Sequence, residues 1–251
     1  MTETGASSGG FAVVLAAAGS GTRFGSGENS GRKQFMELGG RPLVTYSLEA
    51  FASISEVRVV CVVAPAEELE AVGELVKSWS KGCPRAAGQD LAISLVSGGQ
   101  SRQESVRLGV EAIGETCEWI LVHDAARPLI EPEDVRRLMA AVSEHGAAAL
   151  GYPATDSVKR EEAGMSEQGL DRSRTWSVQT PQGATAENFR EAYSLAAEGE
   201  KYTDELALLE AAGIPARLVE GSRENIKVTL PGDEELARFF LSRRDGAGGD
   251  D

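Results

Sequence analysis

Cysteine is scarce in this chain of 251 residues, which has only Cys61, Cys83 and Cys117. They are widely spaced, odd in number and form no CxxC pair, which argues against a redox role. Cys61 lies in an apolar run and Cys117 just before one, so both are expected as buried free thiols, in keeping with a reducing cytoplasm. No run of about 20 apolar residues is present, so a membrane span is not expected. The opening MTETGASSGG lacks a basic segment followed by an apolar one, so a secretory leader is not expected either. Cations are outnumbered, 25 Lys and Arg against 39 Asp and Glu, for a net charge of −14. Such a surface repels nucleic acid and anionic membranes, and neither is expected as a partner. A local basic site can still hold a small phosphate compound, so individual Arg and Lys positions matter.

Apolar residues make up 41% of the chain, enough for the core of one α/β domain. Short apolar runs rich in Val and Ile, at 11–16, 57–63, 92–97, 119–123 and 147–152, read as strands buried on both faces of a parallel sheet. Helical patterns separate them: one starting at Pro42 with Leu43, Ser47 and Phe51 on one face, then 66–80, 101–113 and 132–144. The alternation predicts a doubly wound α/β fold with ligands at the carboxyl ends of its strands. Residues 155–177 are polar with a glycine-containing middle and read as a projecting arm. Further helices are expected at 185–198, 203–212 and 232–243, with strands at 216–219 and 225–229. The domain is therefore assigned to residues 11–244, between small, polar tails at 1–10 and 245–251 that are expected to be disordered.

The stretch from Leu15 to Phe35, LAAAGSGTRFGSGENSGRKQF, follows the first strand. Its glycines miss the GxGxxG spacing of a dinucleotide turn, and no Gly-Lys-Ser/Thr makes it a Walker A loop. It does carry Arg23 and Lys33 among glycines that let backbone N–H groups approach phosphate oxygens. WILVHDAARP ends a buried strand on His123 and Asp124. A carboxylate there must be hydrated, paired or metal-bound, which leaves open a Mg²⁺ bridging phosphates or a brace to Arg127. His123 reads as a structural strand-end residue. GGQSRQESV is a glycine turn into a helix, with Ser101 as N-cap and Glu104 completing a capping box. In NIKVT, Lys227 sits inside an apolar strand and needs an anionic partner.

Taken together and in order, AAAGSGTRFG with RKQF, GGQSRQESV, VHDAARP, TPQ at 180–182, TDE at 203–205 and NIKVT resemble the 2-C-methyl-D-erythritol 4-phosphate cytidylyltransferases. The resemblance spans residues 11 to 242. It implies a Rossmann-like nucleotidyltransferase sheet, mostly parallel with helices on both faces, and an arm near 155–177 that hooks a partner subunit into a homodimer. It also implies a cytoplasmic enzyme that condenses CTP with methylerythritol phosphate in the presence of Mg²⁺ and releases pyrophosphate. On matching positions, Arg23 and Lys33 hold the triphosphate, Lys227 attends the α-phosphate and Asp124 binds the metal. Ala17, Ala18, Gly19, Gly21, Gly99, Ser105 and Ala125 line the cytidine pocket. Arg127, Ser157, Arg172 and Thr180 bind the methylerythritol phosphate. The chain has Ala16 where the family often has Pro, Arg32 before the loop lysine, Ser157 in place of Thr, and a longer loop from Gly25 to Gly31; Glu224 stands where an acid could assist the metal. Two other readings are a ribitol-5-phosphate cytidylyltransferase, built on the same loop, and a catalytically idle nucleotide-binding subunit.

Overall fold

Strand β1, Phe11–Ala16, is buried at every position but its last, because helices cover both faces of the sheet it joins. Residues 9–18, 36–88, 90–196 and 200–247 are described in the computed structural model of the chain. A two-residue-a-side hairpin, β2 (Glu37–Leu38) and β3 (Arg41–Pro42), precedes helix α1 (Leu43–Ala52). Then come β4 (Val57–Ala64), α2 (Leu69–Gly82), α3 (Pro84–Ala87), β5 (Ala92–Ser97), α4 (Arg102–Ile113), β6 (Trp119–Asp124), α5 (Pro132–His145) and β7 (Ala147–Pro153). A hairpin of β8 (Lys159–Glu162) and β9 (Met165–Gly169) leads to β10 (Trp176–Thr185), α6 (Ala186–Leu195), α7 (Glu205–Ala211), β11 (Arg217–Glu220) and α8 (Pro231–Ala247).

Seven strands form one sheet in the order β11-β7-β10-β6-β1-β4-β5. Strand β1 pairs in parallel with both β4 and β6, β5 follows β4 in parallel, and β11 follows β7 in parallel. Only β10 runs the other way, antiparallel to both β6 and β7. The chain leaves β1 toward β4 and β5 on one side and returns to β6 on the other. Such a reversal, beyond the carboxyl end of β1, is where doubly wound sheets place their ligands.

The period of two along β1 sorts its side chains into two cores. Phe11, Val13 and Leu15 join the cluster with Leu48 and Phe51 of α1, Val72 and Val76 of α2, and Leu138 and Val142 of α5. Ala12 and Val14 join Val106 and Val110 of α4, Phe189 of α6 and Leu208 of α7 on the other face. Helix α4 lies so close that a Cβ on Gly109 would fall 2.7 Å from Val14 and 2.8 Å from Val63. A third cluster ties Leu38 and Leu43 to Leu129, Val228 and Ala237, fastening the β2–β3 hairpin to α8.

The expected strands and helices of the first 150 residues are present, with one change: Pro42 ends β3 and caps α1, and the helix starts at Leu43. Residues 225–229 form no strand. Ile226 and Val228 pack into the cluster under α8, and only Val228 N–H makes a ladder-like contact, to Ala126 O at 2.8 Å. The alternation was a true sign of which side chains point inward, without a partner strand to complete a ladder. Helix α8 reaches Ala247 and so takes in residues 245–247 of the expected tail. Strand β10 was not foreseen, because Pro181 and the polar Gln179, Thr180 and Gln182 disguise a central strand; all three polar residues are buried. The arm is a hairpin of two exposed strands, apart from the main sheet. Its turn, Ala163-Gly164, has positive φ at both residues, as two-residue hairpin turns of the primed types require. Cys61 and Cys117 are buried free thiols, and burial pushes both up, away from the reactive thiolate form. Among the described residues no helix is long and apolar enough to cross a membrane.

Candidate active site

The ends of β1, β4, β5 and β6 are stitched together by single backbone bonds. Ala17 N–H donates to Val63 O at 2.8 Å, Gly98 N–H to Ala64 O at 2.8 Å and Ala125 N–H to Ala16 O at 3.1 Å. This brings Ala17, Ala18, Gly99, Ser105 and Ala125 to one edge of the sheet. Gly99 N–H donates to Ser105 Oγ at 3.1 Å. A Cβ on Gly98 would lie 2.6 Å from the Ala18 Cβ and 2.9 Å from Ser105 Oγ, so only glycine permits this approach of the two turns. The capping box is present in altered form: Ser101 Oγ accepts from Glu104 N–H at 3.1 Å, while the Glu104 carboxylate accepts from Gln100 N–H at 2.8 Å. Small side chains leave a bed low enough for a flat ligand to lie on, while the backbone N–H groups of Ala17, Gly98, Gly99 and Ala125 are already bonded within the protein. Gly19, Gly21, Arg23 and Lys33 lie outside the described residues.

Beside that bed, Asp124 ends β6. Its Oδ2 accepts from Lys227 Nζ at 2.6 Å, and its Oδ1 accepts from Arg102 Nε at 3.0 Å and from the second terminal nitrogen at 2.9 Å. Arg102 also forks onto both oxygens of Glu205, at 2.8 and 2.9 Å. Burial raises the Asp124 carboxyl, but Arg102 and then Lys227 outweigh it and hold it well below the usual carboxylate range. Burial pushes Glu205 up against the opposing pull of Arg102; the two-pronged contact is that of a carboxylate. The suggested brace between Asp124 and the Arg127 side chain is not made. Arg127 instead sends a terminal nitrogen 2.8 Å to Asn225 O, and its buried Nε has no partner among the described residues. Burial lowers this guanidinium's affinity for its proton, with Asp124 opposing. An unpartnered buried donor of this kind is suited to an anion.

His123 has no exposed surface. Its Nε2 lies 3.1 Å from Arg127 O and its Nδ1 3.2 Å from Thr180 Oγ1, while Thr180 Oγ1 accepts from Asp124 N–H at 3.1 Å. A carbonyl can only accept, so Nε2 carries the hydrogen and Nδ1 accepts the Thr180 hydroxyl proton. The ring is thus a neutral link that orders one chain of hydrogen bonds. Burial brings its pKa down to about 4. Thr180 spends its hydroxyl in this chain and is buried, so its side chain fixes the end of β6 rather than facing solvent.

Asn225 fastens the NIKVT segment beneath the site. Its Nδ2 donates to Thr180 O at 2.9 Å, and its carbonyl accepts from Gln179 Nε2 at 3.2 Å. The TPQ and TDE motifs interlock: Gln182 Nε2 donates to Asp204 at 3.1 Å, and Gln182 Oε1 accepts from Leu206 N–H at 2.7 Å. Ser157 and Arg172 are exposed at the root of the hairpin. Arg172 donates to Thr155 O at 3.3 Å, and among the described residues no hydrogen bond or ion pair joins Ser157 or Arg172 to the Asp124 cluster. Glu224 pairs with α8, where Arg243 and Arg244 lie 3.4 and 3.7 Å from its carboxylate.

Among the described residues no three His, Cys, Asp or Glu side chains gather as a metal cage. A lone carboxylate is nonetheless how Mg²⁺ is often held, with substrate phosphates and water supplying the remaining oxygens. Asp124 Oδ2 keeps a free lone pair beside its bond to Lys227, so the donor set fits that mode. Sequence reading missed Arg102 and Glu205 as individual residues. A cation at the first position of α4, where the helix dipole opposes it, was the available signal: such an arginine needs acidic partners.

The model of the family described as IspD, 2-C-methyl-D-erythritol 4-phosphate cytidylyltransferase, matches residues 11–243. The protein of that name from Acidobacterium capsulatum is 38% identical over 240 residues, covering 92% of this chain and 97% of its own length. Its counterpart from Pelotomaculum thermopropionicum is 38% identical over 243 residues, covering 94% and 95%. The crystal structure of the enzyme of that name from Thermus thermophilus matches with a TM-score of 0.71 at 30% identity, covering 92% of this chain and 98% of the other. The chain belongs to the 2-C-methyl-D-erythritol 4-phosphate cytidylyltransferase family.

Proposed function

We propose that this chain transfers the cytidylyl group of CTP to the phosphate of 2-C-methyl-D-erythritol 4-phosphate. An oxygen of that phosphate attacks the α-phosphorus in line, the bond from the α-phosphorus to the bridging oxygen breaks, and pyrophosphate leaves. The observation that carries this reading is the Lys227–Asp124 pair at the end of β6, 2.6 Å apart, beside the bed formed by Ala18, Gly98 and Gly99.

The chemistry asks little of acids and bases. The attacking phosphate is already ionised at neutral pH, so catalysis reduces to alignment and to neutralising charge at the α-phosphorus. Lys227, with 39% of its side chain exposed, is free to swing from Asp124 to an α-phosphate oxygen. Arg23 and Lys33 hold the triphosphate, and Arg127 holds the phosphate of the acceptor through its unpartnered donors. Ser157 and Arg172 serve the acceptor from the hairpin root across a homodimer, with exposed Met165, Val158 and Leu170 as apolar area for the partner subunit. Asp124 would hold Mg²⁺, which when bound supplies positive charge to the phosphates. The enzyme works in the cytoplasm.

Pyrophosphate release measured with CTP, ATP, UTP and GTP, each against methylerythritol phosphate and ribitol 5-phosphate, tests the reading. Turnover confined to CTP with methylerythritol phosphate is expected. Preference for ribitol 5-phosphate, or no turnover with any pair, would overturn it.

A further inference from the structure

Arg102 has no part in the chemistry just described, yet its position is costly. It begins α4, where the helix dipole opposes a cation, and its side chain is 28% exposed. Two carboxylates offset that cost. The guanidinium is a planar fork of five N–H donors, and four contacts reach Asp124 Oδ1 and both oxygens of Glu205. Glu205 is itself immobilised. It opens α7 at 2% exposure, and that helix is capped by Asp204 and tied to β10 through Gln182. Asp124 Oδ1 is therefore committed to Arg102, and Oδ2 alone is left to meet Lys227. Among the described residues Lys227 is held by one carboxylate oxygen, Asp124 Oδ2.

We propose that Arg102 and Glu205 are positioning residues for the transfer reaction. Arg102, braced by Glu205, fixes the Asp124 carboxylate in the orientation that presents Oδ2 to Lys227 on the nucleotide side. The inference rests on the function proposed above. Neither residue touches a substrate; both act through Asp124 and Lys227. A lysine at 102 can reach one of the two carboxylates but cannot fork across both. If the pair only glued α4 to α7, its loss would move stability and leave turnover alone.

Arg102→Leu/Glu205→Leu separates these roles, because replacing a buried ion pair by apolar residues of similar volume is often neutral or stabilising. Melting temperature, CTP affinity by equilibrium binding, and kcat at saturating substrates are measured on the full chain beside the parent. The expected result is a folded variant with a lowered melting temperature, since Asp124 Oδ1 loses its partner while Oδ2 keeps Lys227, with CTP affinity within about threefold and kcat lower by about 10–100-fold, the usual effect of losing an orienting partner. Unchanged kcat would overturn the proposal, as would CTP affinity falling in step with kcat, since that marks direct contact with the nucleotide. If the double variant does not fold, Arg102→Lys decides by the same readouts: kcat about tenfold lower at unchanged CTP affinity supports the proposal, and parental kcat overturns it. Parental turnover of CTP with methylerythritol phosphate is the control that tells failure of this inference from failure of the function it rests on.

Discussion

Lys227 and Asp124 meet at 2.6 Å although 103 residues separate them in the chain. The contact joins the end of a central strand to an extended segment held by Asn225 below and α8 behind. Because Lys227 is the more exposed partner, it is the one able to exchange a carboxylate for a phosphate. Lys227→Ala is therefore expected to lower kcat by about 100-fold or more, the loss typical of removing one transition-state donor. The same size of loss is expected for Arg23→Ala and for Lys33→Ala. Single-turnover kinetics on folded variants check this; near-parental turnover would remove that residue from the mechanism.

In the function proposed above, Gly98 sets the depth of the bed for the base. Gly98→Ala puts a methyl group 2.6 Å from the Ala18 Cβ, a contact only movement of one turn can relieve. The expected effect is about a tenfold or larger rise in the dissociation constant for CTP, with smaller change in kcat at saturation, because about 1.4 kcal/mol of lost fit is enough for tenfold. Isothermal titration with CTP measures it. An unchanged affinity would place the base elsewhere.

Much of this arrangement was legible in the sequence, for a physical reason: strands buried on both faces must be largely apolar, and β1 is so throughout, β4 but for Arg58, and β6 up to His123 and Asp124 at its end. Ala17, Ala18, Gly99 and Ser105, which the family resemblance sets beside the cytidine, do lie together at the strand ends, where close backbone approach demands small residues. Strand β10 was hidden because its buried Gln179, Thr180 and Gln182 bond to other segments rather than forming an apolar stripe. Arg102 and Glu205 were hidden because their partnership spans 103 residues, a distance no local pattern reports. Pro42 misled in a smaller way, since a residue suited to the first turn of a helix is equally suited to the place just before it.

Asn225 is a structural test of the same region. Asn225→Leu removes the donor to Thr180 O and leaves that carbonyl unsatisfied in the interior. A loss of about 1–3 kcal/mol in unfolding free energy is expected, read from urea denaturation without nucleotide. A loss well under 1 kcal/mol would mean that the clamp is dispensable.

His123 gives a pH dependence with a definite sign. Its pKa falls from 6.5 in the unfolded chain to about 4 in the fold, burial being the main cause. Above pH 6.5 both states are neutral and the group has no effect. Between pH 6.5 and about 4 the unfolded chain binds a proton that the folded chain refuses, so stability drops as pH falls, by about 3 kcal/mol in all. Asp124, with its carboxyl held low, adds a further loss only below its unfolded value of 3.8. Urea unfolding from pH 7.5 to 4, without nucleotide or metal, checks this. His123→Gln is expected to flatten the profile in that window, and an unchanged slope would assign the proton to another group.

Phosphorus NMR of the purified chain incubated with CTP, Mg²⁺ and 2-C-methyl-D-erythritol 4-phosphate tests the central claim most directly. The expected spectrum gains a pair of coupled diphosphodiester signals in step with pyrophosphate, while those of CTP and the acceptor phosphate decline together. Pyrophosphate with CMP and an untouched acceptor, or no change in any signal, would contradict the assignment.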